Sequence, residues 1–264
     1  LCIAKLRMNY YFKYILLLYL FLPLTGCKQQ YKLTDSKSGN KEINNELSTN
    51  DFLETTISPY RAELASKMNE VINTSLIDME VGTPEGLLGN FVCDLTYIKA
   101  KEISDKPVDF CLLNNGGLRT PLPKGEITRG KIFELMPFEN EIVIVELSGE
   151  NMLDLIDYIK TKSLMTNSRK AGVPVSGLRM IITNDKVSEV KIGTFAFDKS
   201  KNYRVATSDY LSNGGDHMDF FLDPISIENT GIKLRDAILT HIINLDNKNT
   251  ELNAILDGRI YHAE

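Results

Sequence analysis

Hydrophobic positions change period several times along the chain, and each change predicts an element. Leu64, Ala65, Met68, Val71 and Ile72 recur at helical spacing behind Ser58-Pro59, an N-cap and N1 proline, which predicts a helix over 58–73. Thr83-Pro84-Glu85 opens a second helix to about Lys101, with Leu87, Leu88, Phe91, Val92, Leu95 and Ile98 on one stripe. Gly89-Asn90 interrupts that stripe. A helical glycine costs about 1 kcal/mol relative to alanine, so close backbone packing or approach of a ligand is one reading there and simple tolerance the other. Val108 to Leu113 has the length and flanks of a short buried strand. Thr128 is placed to cap a helix over 129–135, Glu141 to Leu147 alternates as a mostly buried strand, and Ser148 precedes a helix whose Met152, Leu155, Ile156 and Ile159 face inward.

In the second half, a loop over 171–177 leads to apolar runs at 178–183 and 187–192, which flank Asn184-Asp185-Lys186 as a hairpin. Tyr203 to Thr207 reads as a strand running into a polar turn at 209–216. Thr230 is placed to cap a last helix carrying Leu234, Ala237, Ile238 and Ile242. Helices and strands interleave without strict βαβ periodicity, so the fold class is α+β, a layered mixed domain.

The first residues differ in kind. Lys5, Arg7 and Lys13 precede an almost uncharged run from Tyr14 to Leu24, too short for a comfortable span, which predicts an export signal over 1–26. Leu24-Thr25-Gly26-Cys27 resembles a bacterial lipobox, which would make Cys27 the acylated start of the mature chain. An ordinary signal or an N-terminal membrane helix is the alternative. Polar residues dominate from Lys28 to about Asn50, which predicts a solvated tether over 27–55 and a single domain over 56–264. Lys28 after the cysteine favours the outer membrane, with the domain facing the periplasm.

Composition then removes some functions. The 264 residues are 43% hydrophobic with a net charge of −5, ordinary for a globular core. There is no basic stripe of the kind that displaces counterions from nucleic acid, so a small ligand or protein partner is expected. Of the four cysteines only Cys93 and Cys111 belong to the expected domain. An exported compartment permits their pairing, but both lie in apolar segments and free buried thiols are expected. No Cys/His metal spacing occurs.

Two glycine turns carry the candidate chemistry. Asn114-Asn115-Gly116-Gly117-Leu118-Arg119 follows an apolar run, where adjacent glycines expose backbone N–H groups and Arg119 can fork onto an anion. Asn213-Gly214-Gly215-Asp216 repeats the pattern with a carboxylate, and Tyr210 lies just upstream. Phe138 and Tyr210 are flat faces able to clamp an aromatic base. Taken singly, each feature has a plainer reading as a turn, a core aromatic or a surface arginine. Arg179 and Arg204 fall in strand-like segments and suit a solvated face. His217 has no nucleophile nearby, and His241 and His262 read as helix-surface and tail residues.

In order, however, Leu88-Gly89-Asn90-Phe91-Val92-Cys93-Asp94, the two turns, Gly125-Glu126-Ile127-Thr128, Pro137-Phe138-Glu139-Asn140, Val175-Ser176-Gly177-Leu178-Arg179, Tyr203-Arg204-Val205-Ala206-Thr207 and Asp257-Gly258-Arg259-Ile260 resemble the C-terminal domain of the 5′-nucleotidase family. The resemblance runs from about residue 58 onward. It implies that Asn114 hydrogen-bonds a nucleotide or nucleoside, that Arg119 meets its phosphate end, and that Phe138 and Tyr210 sandwich its base. It further implies that Asn140 contacts the base and that Asp216 holds the ribose hydroxyls, with Gly116, Gly117 and Gly215 in the same substrate-binding set. Tyr210 replaces a usual Phe and keeps the stacking face. Family members commonly carry an Arg where this chain has Gly82, which puts affinity for phosphorylated ligands in doubt. The family's metallophosphoesterase motifs, which build a two-metal site, do not occur in these residues. The resemblance therefore implies no cofactor and no catalytic residue in this chain. It implies the substrate-binding half of a nucleotide phosphohydrolase acting with a separate metallophosphoesterase chain. The alternative is a binding lipoprotein for nucleosides or nucleotides without chemistry.

Overall fold

The structure, a computed structural model, describes residues 32–44, 48–166, 168 and 170–263. The expected signal over 1–26 and Cys27 lie outside the described residues. By its internal contacts the chain divides into Leu1–Asp51 and Phe52–Glu264, and the second unit carries the fold.

Helix α1 (Asp51–Met68) buries none of its residues, so the stripe expected to face a core faces outward. Pro59 lies inside it, where the missing N–H forfeits one intrahelical bond. The predicted helix also runs too far, because Val71–Ser75 is a strand, β1. The reason is tertiary: β1 pairs antiparallel with β3 (Gly125–Thr128), which buries Ile72, Asn73 and Ser75. Val71 and Ile72 are β-branched and suit a half-buried pleat at least as well as a helix.

A five-stranded sheet forms the centre. Its order is β10 (Ser226–Lys233), β4 (Glu141–Leu147), β9 (Tyr203–Ser208), β2 (Phe110–Leu112), β5 (Val175–Ser176), with β2 and β9 parallel and the other pairs antiparallel. Alternation along β4 sorts the core onto two faces. Ile142 and Ile144 join Cys111 and Ala206 against Leu88, Val92 and Leu95 of α2 (Leu87–Ile103) and Ile238 and Ile242 of α6 (Leu234–Asp246). Val143, Val145 and Leu147 join Phe110, Leu112 and Val205 on the other face. There they meet Met152, Leu155 and Ile159 of α4 (Gly149–Ser163) and Met180 and Ile182 of β6 (Leu178–Thr183). Strand β6 belongs to a second sheet, ordered β11 (Ile260–Ala263), β6, β7 (Lys186–Ile192), β8 (Phe195–Ala196). The molecule is the layered α+β fold that the interleaved pattern predicts.

Local signals with local partners hold. Thr128 accepts from the Lys131 N–H at 3.3 Å and starts α3 (Arg129–Leu135), and Ser148 accepts from the Asn151 N–H at 3.2 Å at the head of α4. Asn184 and Asp185 turn the β6–β7 hairpin with φ of 49° and 60°. Thr230 does not cap a helix. It lies in β10 and its hydroxyl donates to the Ile142 carbonyl at 2.7 Å, because pairing with β4 carries the strand on to Lys233. Cys93 and Cys111 are buried free thiols, and burial pushes the Cys93 thiol up.

Gly89 is a position of close approach. A Cβ there would stand 2.9 Å from Pro174 Cγ on the strand connection that leads to β5. Helix propensity favours Gly89→Ala by about 1 kcal/mol, but overpacking typically costs about 1–3 kcal/mol. The variant should therefore melt lower than the parent in thermal denaturation. A rise in melting temperature would show that the Pro174 segment yields.

Arg259 ties the chain's end to its middle. Its buried guanidinium donates to Asp94 of α2 at 2.8 Å, to the Val175 carbonyl at 2.8 Å and to Asp257 at 2.8 Å. Burial opposes the charge, but the hydrogen bonds from Arg259 to Asp94 and Asp257 outweigh it and push the guanidinium up. Arg179 lies on a solvated face as expected, whereas Arg204 is largely buried and anchored. Arg204 pairs with Glu228 and donates to the Pro107 carbonyl at 3.0 Å, and Arg179 pairs with Asp257 at 3.1 Å.

Candidate functional site

The first glycine turn leaves β2 as a tight helical turn over Asn115–Gly117. Its N–H groups are not simply exposed. The Gly117 N–H donates to the Asn114 carbonyl at 3.2 Å and the Leu118 N–H to Asn115 at 3.1 Å. The glycines are needed for room instead. A Cβ on Gly117 would stand 2.9 Å from Asn114 Oδ1, and one on Gly116 3.3 Å from Asp216 Oδ2. That space lets Asn114 Nδ2 donate to Asp216 Oδ2 at 2.5 Å, which joins the two glycine turns across the sheet end. Neighbouring Asn115 is buried and donates to the Gly82 carbonyl at 3.0 Å and the Ala171 carbonyl at 2.6 Å. It braces the loop beside the site rather than the ligand space.

The second turn follows β9 through a short helix, α5 (Asp209–Ser212), and forms a helix-to-turn corner. Gly214 has φ +82°. A Cβ on Gly215 would lie 2.5 Å from Tyr210 Cε1, so the glycine lets the tyrosine ring fold over the turn.

Phe138 is presented by the α3–β4 connection, which is pinned from α6. Arg235, buried, donates to the Met136 carbonyl at 3.5 Å and the Phe138 carbonyl at 3.4 Å, and pairs with Glu139. Lys233 also pairs with Glu139, and hydrogen bonds from Lys233 and then Arg235 pull its carboxyl down to about 2. Sequence patterns alone do not mark Arg235, because its partners lie almost a hundred positions away.

These elements surround one cleft of about 360 Å³. Asn114, Gly116, Gly117 and Arg119 line it from the first turn, Phe138 and Asn140 from the loop before β4, and Tyr210 and Asp216 from the second turn. Gly215 lines a shallower hollow alongside, shared with Asn140 and Tyr210. Phe138 and Tyr210 are 39% and 47% exposed, so both rings keep a face for a partner. Arg119 donates to the Gly116 carbonyl at 3.2 Å, with its guanidinium 6.0 Å from the Phe138 ring centre. Lys170 is a lining residue that the sequence reading missed; its ammonium stands 3.4 Å from Asp216 Oδ1. It occupies an irregular loop with no motif around it. His217 is not among the residues that line the cleft. His241 packs edge-on against Phe91 and is pushed down by burial, and His262 meets Ser163 Oγ at 3.3 Å.

At Gly82 the backbone is closed. A Cβ there would stand 2.6 Å from the Glu85 carbonyl oxygen, so no side chain fits without a shift of the turn.

Burial pushes the Asp216 carboxyl up, but the Asn114 hydrogen bond, Lys170 and the Tyr210 hydroxyl outweigh it and hold it below the ordinary value of 3.8. A lowered carboxylate stays charged as pH falls through the ordinary range, and its contribution to stability is lost only as pH falls through the lowered value. Carboxyl NMR should therefore show Asp216 titrating below 3.8. A midpoint above it would mean that burial dominates.

Fold and cleft together define a layered α+β domain with a cleft lined by residues of both glycine turns and of the loop before β4. The chain belongs to the family described as "5′-nucleotidase, C-terminal domain", whose model matches residues 67–223. It is similar to the trifunctional nucleotide phosphoesterase protein YfkN of Bacillus subtilis, at 29% identity over 76% of this chain and 14% of the relative. It is also similar to a 5′-nucleotidase of Vibrio parahaemolyticus, at 27% identity over 69% of this chain and 32% of the relative. Among solved structures, a 5′-nucleotidase precursor from Thermus thermophilus superposes with a TM-score of 0.67 at 26% identity, covering 81% of this chain and 43% of that one. The chain thus spans less than half the length of each of these relatives.

Proposed function

We propose that the cleft holds a nucleotide or nucleoside, and that this domain is the substrate-binding half of a nucleotide phosphohydrolase acting with a separate metallophosphoesterase chain. The observation that carries the reading is the convergence of Asn114, Arg119, Phe138, Asn140, Tyr210 and Asp216, drawn from three separate stretches, on one cleft. It gives two ring faces for a base, a carboxylate for sugar hydroxyls and a guanidinium for an anion. The described residues contain no group of three His, Cys, Asp or Glu side chains placed to hold a metal, so they do not fit a two-metal centre and no hydrolytic step is assigned to them. We further propose that Cys27 carries lipid and that the domain faces the periplasm from the outer membrane. Mixing the protein with a candidate metallophosphoesterase and measuring phosphate release from AMP tests the partnership. Release no faster than from the partner alone would overturn it.

A second reading, a nucleoside- or nucleotide-binding lipoprotein without chemistry, is favoured by one observation. The backbone is closed at Gly82, where the family resemblance would put an Arg for the phosphate, so this chain has no side chain there to hold one. Arg119 separates the ligand classes. Arg119→Ala should weaken a phosphorylated ligand by about 1.5–3 kcal/mol, the range for a hydrogen bond to a charged group, and leave the nucleoside nearly unchanged in calorimetry. Equal losses for both would make Arg119 structural.

A further inference from the structure

Asp216 stands in the left-handed region, with φ 54° and ψ 25°, and His217 follows it with φ 64°. Two consecutive non-glycine residues there are uncommon, and such a conformation persists only where its surroundings hold it. The surroundings do so through two phenols. The Tyr210 hydroxyl accepts from the Asp216 N–H at 3.2 Å and lies 3.4 Å from Asp216 Oδ1. The Tyr158 hydroxyl, reaching over from α4, donates to the Asp216 carbonyl at 2.9 Å. Tyr158 is half-buried, with its ring edge-on to Phe220 at 5.6 Å and the Lys162 ammonium 5.2 Å from its centre, so its hydroxyl is firmly placed. It does not line the cleft and can act only through Asp216.

We propose that the Tyr158 and Tyr210 hydroxyls are positioning groups that clamp the backbone carbonyl and N–H of Asp216 and so aim its carboxylate at the vicinal hydroxyls of a bound sugar. This rests on the reading that the cleft holds a nucleoside or nucleotide. It assigns Tyr210 two separable tasks, since its ring offers a stacking face and its hydroxyl fixes the neighbouring turn. With Asn114 on Oδ2, the backbone and the carboxylate of Asp216 are both held in place. A carboxylate held this way loses little freedom when it accepts hydroxyls.

Tyr158→Phe, Tyr210→Phe and the double variant in the full chain test the clamp, because phenylalanine removes only the hydroxyl. Calorimetry with adenosine and 2′,3′-dideoxyadenosine separates loss of aim from loss of stacking. Each single variant should weaken adenosine by about 2- to 10-fold, the range for one neutral hydrogen bond. Tyr158→Phe should leave dideoxyadenosine unchanged, and Tyr210→Phe should weaken adenosine more than dideoxyadenosine. A parallel loss for both ligands, or none for either, would overturn the proposal. If the parent protein binds neither, the ligand reading itself fails, and the clamp is then judged without ligand. Carboxyl NMR should show Asp216 titrating higher in Tyr210→Phe than in the parent, and an unmoved midpoint would overturn it.

Discussion

Phe138→Ala and Tyr210→Ala should each cost a bound nucleoside about 1–3 kcal/mol, the range measured when an aromatic face is removed from a stacked base. In affinity that is about 5- to 150-fold apiece. The two rings stand on different elements, one on the loop before β4 and one on α5, and both line the cleft with a face exposed. Because they would grip the same base, their losses should fall short of additive in the double variant. Tyr210→Ala should be the costlier single change, since it also removes the hydroxyl beside Asp216. Phe138→Ala leaves the brace from Arg235 to the loop backbone in place, so the loop keeps its course. Calorimetry with a nucleoside reads the loss, and thermal melting checks that the fold persists. Parent-like affinity in the double variant would show that the base does not lie in this cleft.

Arg259→Met should lower the melting temperature without touching the cleft. Removing one partner of a buried ion pair costs about 3–5 kcal/mol, because the charge left behind is desolvated. Asp94 is 45% exposed and Asp257 27%, so water relieves them. Glu85, only 10% exposed and 3.8 Å away, keeps its hydrogen bonds from Asn90 and the Gly258 N–H, so the lower end applies. About 3 kcal/mol corresponds to a fall of about 6–12 °C for a domain of this size. The Val175 carbonyl also loses its buried donor, which sets a floor under the effect. Nucleoside affinity below the transition should match the parent. A melting temperature within about 2 °C of the parent would mean that the apolar core alone holds the C-terminal strand.

Much of this arrangement is legible without coordinates. Thr128 and Ser148 are legible as caps because a cap's partner lies three residues away. The β6–β7 hairpin is legible because Asn184-Asp185 tolerates positive φ. The order of motifs brings Asn114, Arg119, Phe138, Asn140, Tyr210 and Asp216 into one candidate set, and the structure places all six around one cleft. Errors cluster where pairing overrides period. Val71 and Ile72 continue a helical pattern in sequence, yet they begin a strand because β3 lies beside it. Thr230 looks like a cap, but β4 extends the strand through it.

Arg235 and Lys170 are residues that no pattern marks, while Arg259 and Asn115 lie in recognisable motifs whose contacts no pattern reveals. Arg259 meets Asp94 across 165 positions and Asn115 meets Ala171 across 56, and nothing in a one-dimensional period carries such distances. The glycines of the first turn show the same division. Their presence is plain in the chain, but the reason for them, room for Asn114 to reach Asp216 across 102 positions, exists only once the sheet has brought the two turns together. By itself the sequence determines the capped helices, the β6–β7 hairpin, the alternation along β4 and the residue types available to a ligand, because each depends on near neighbours. Which of those residues share a cleft, and which are held still enough to use it, depends on contacts between distant segments and was decided only by the tertiary structure.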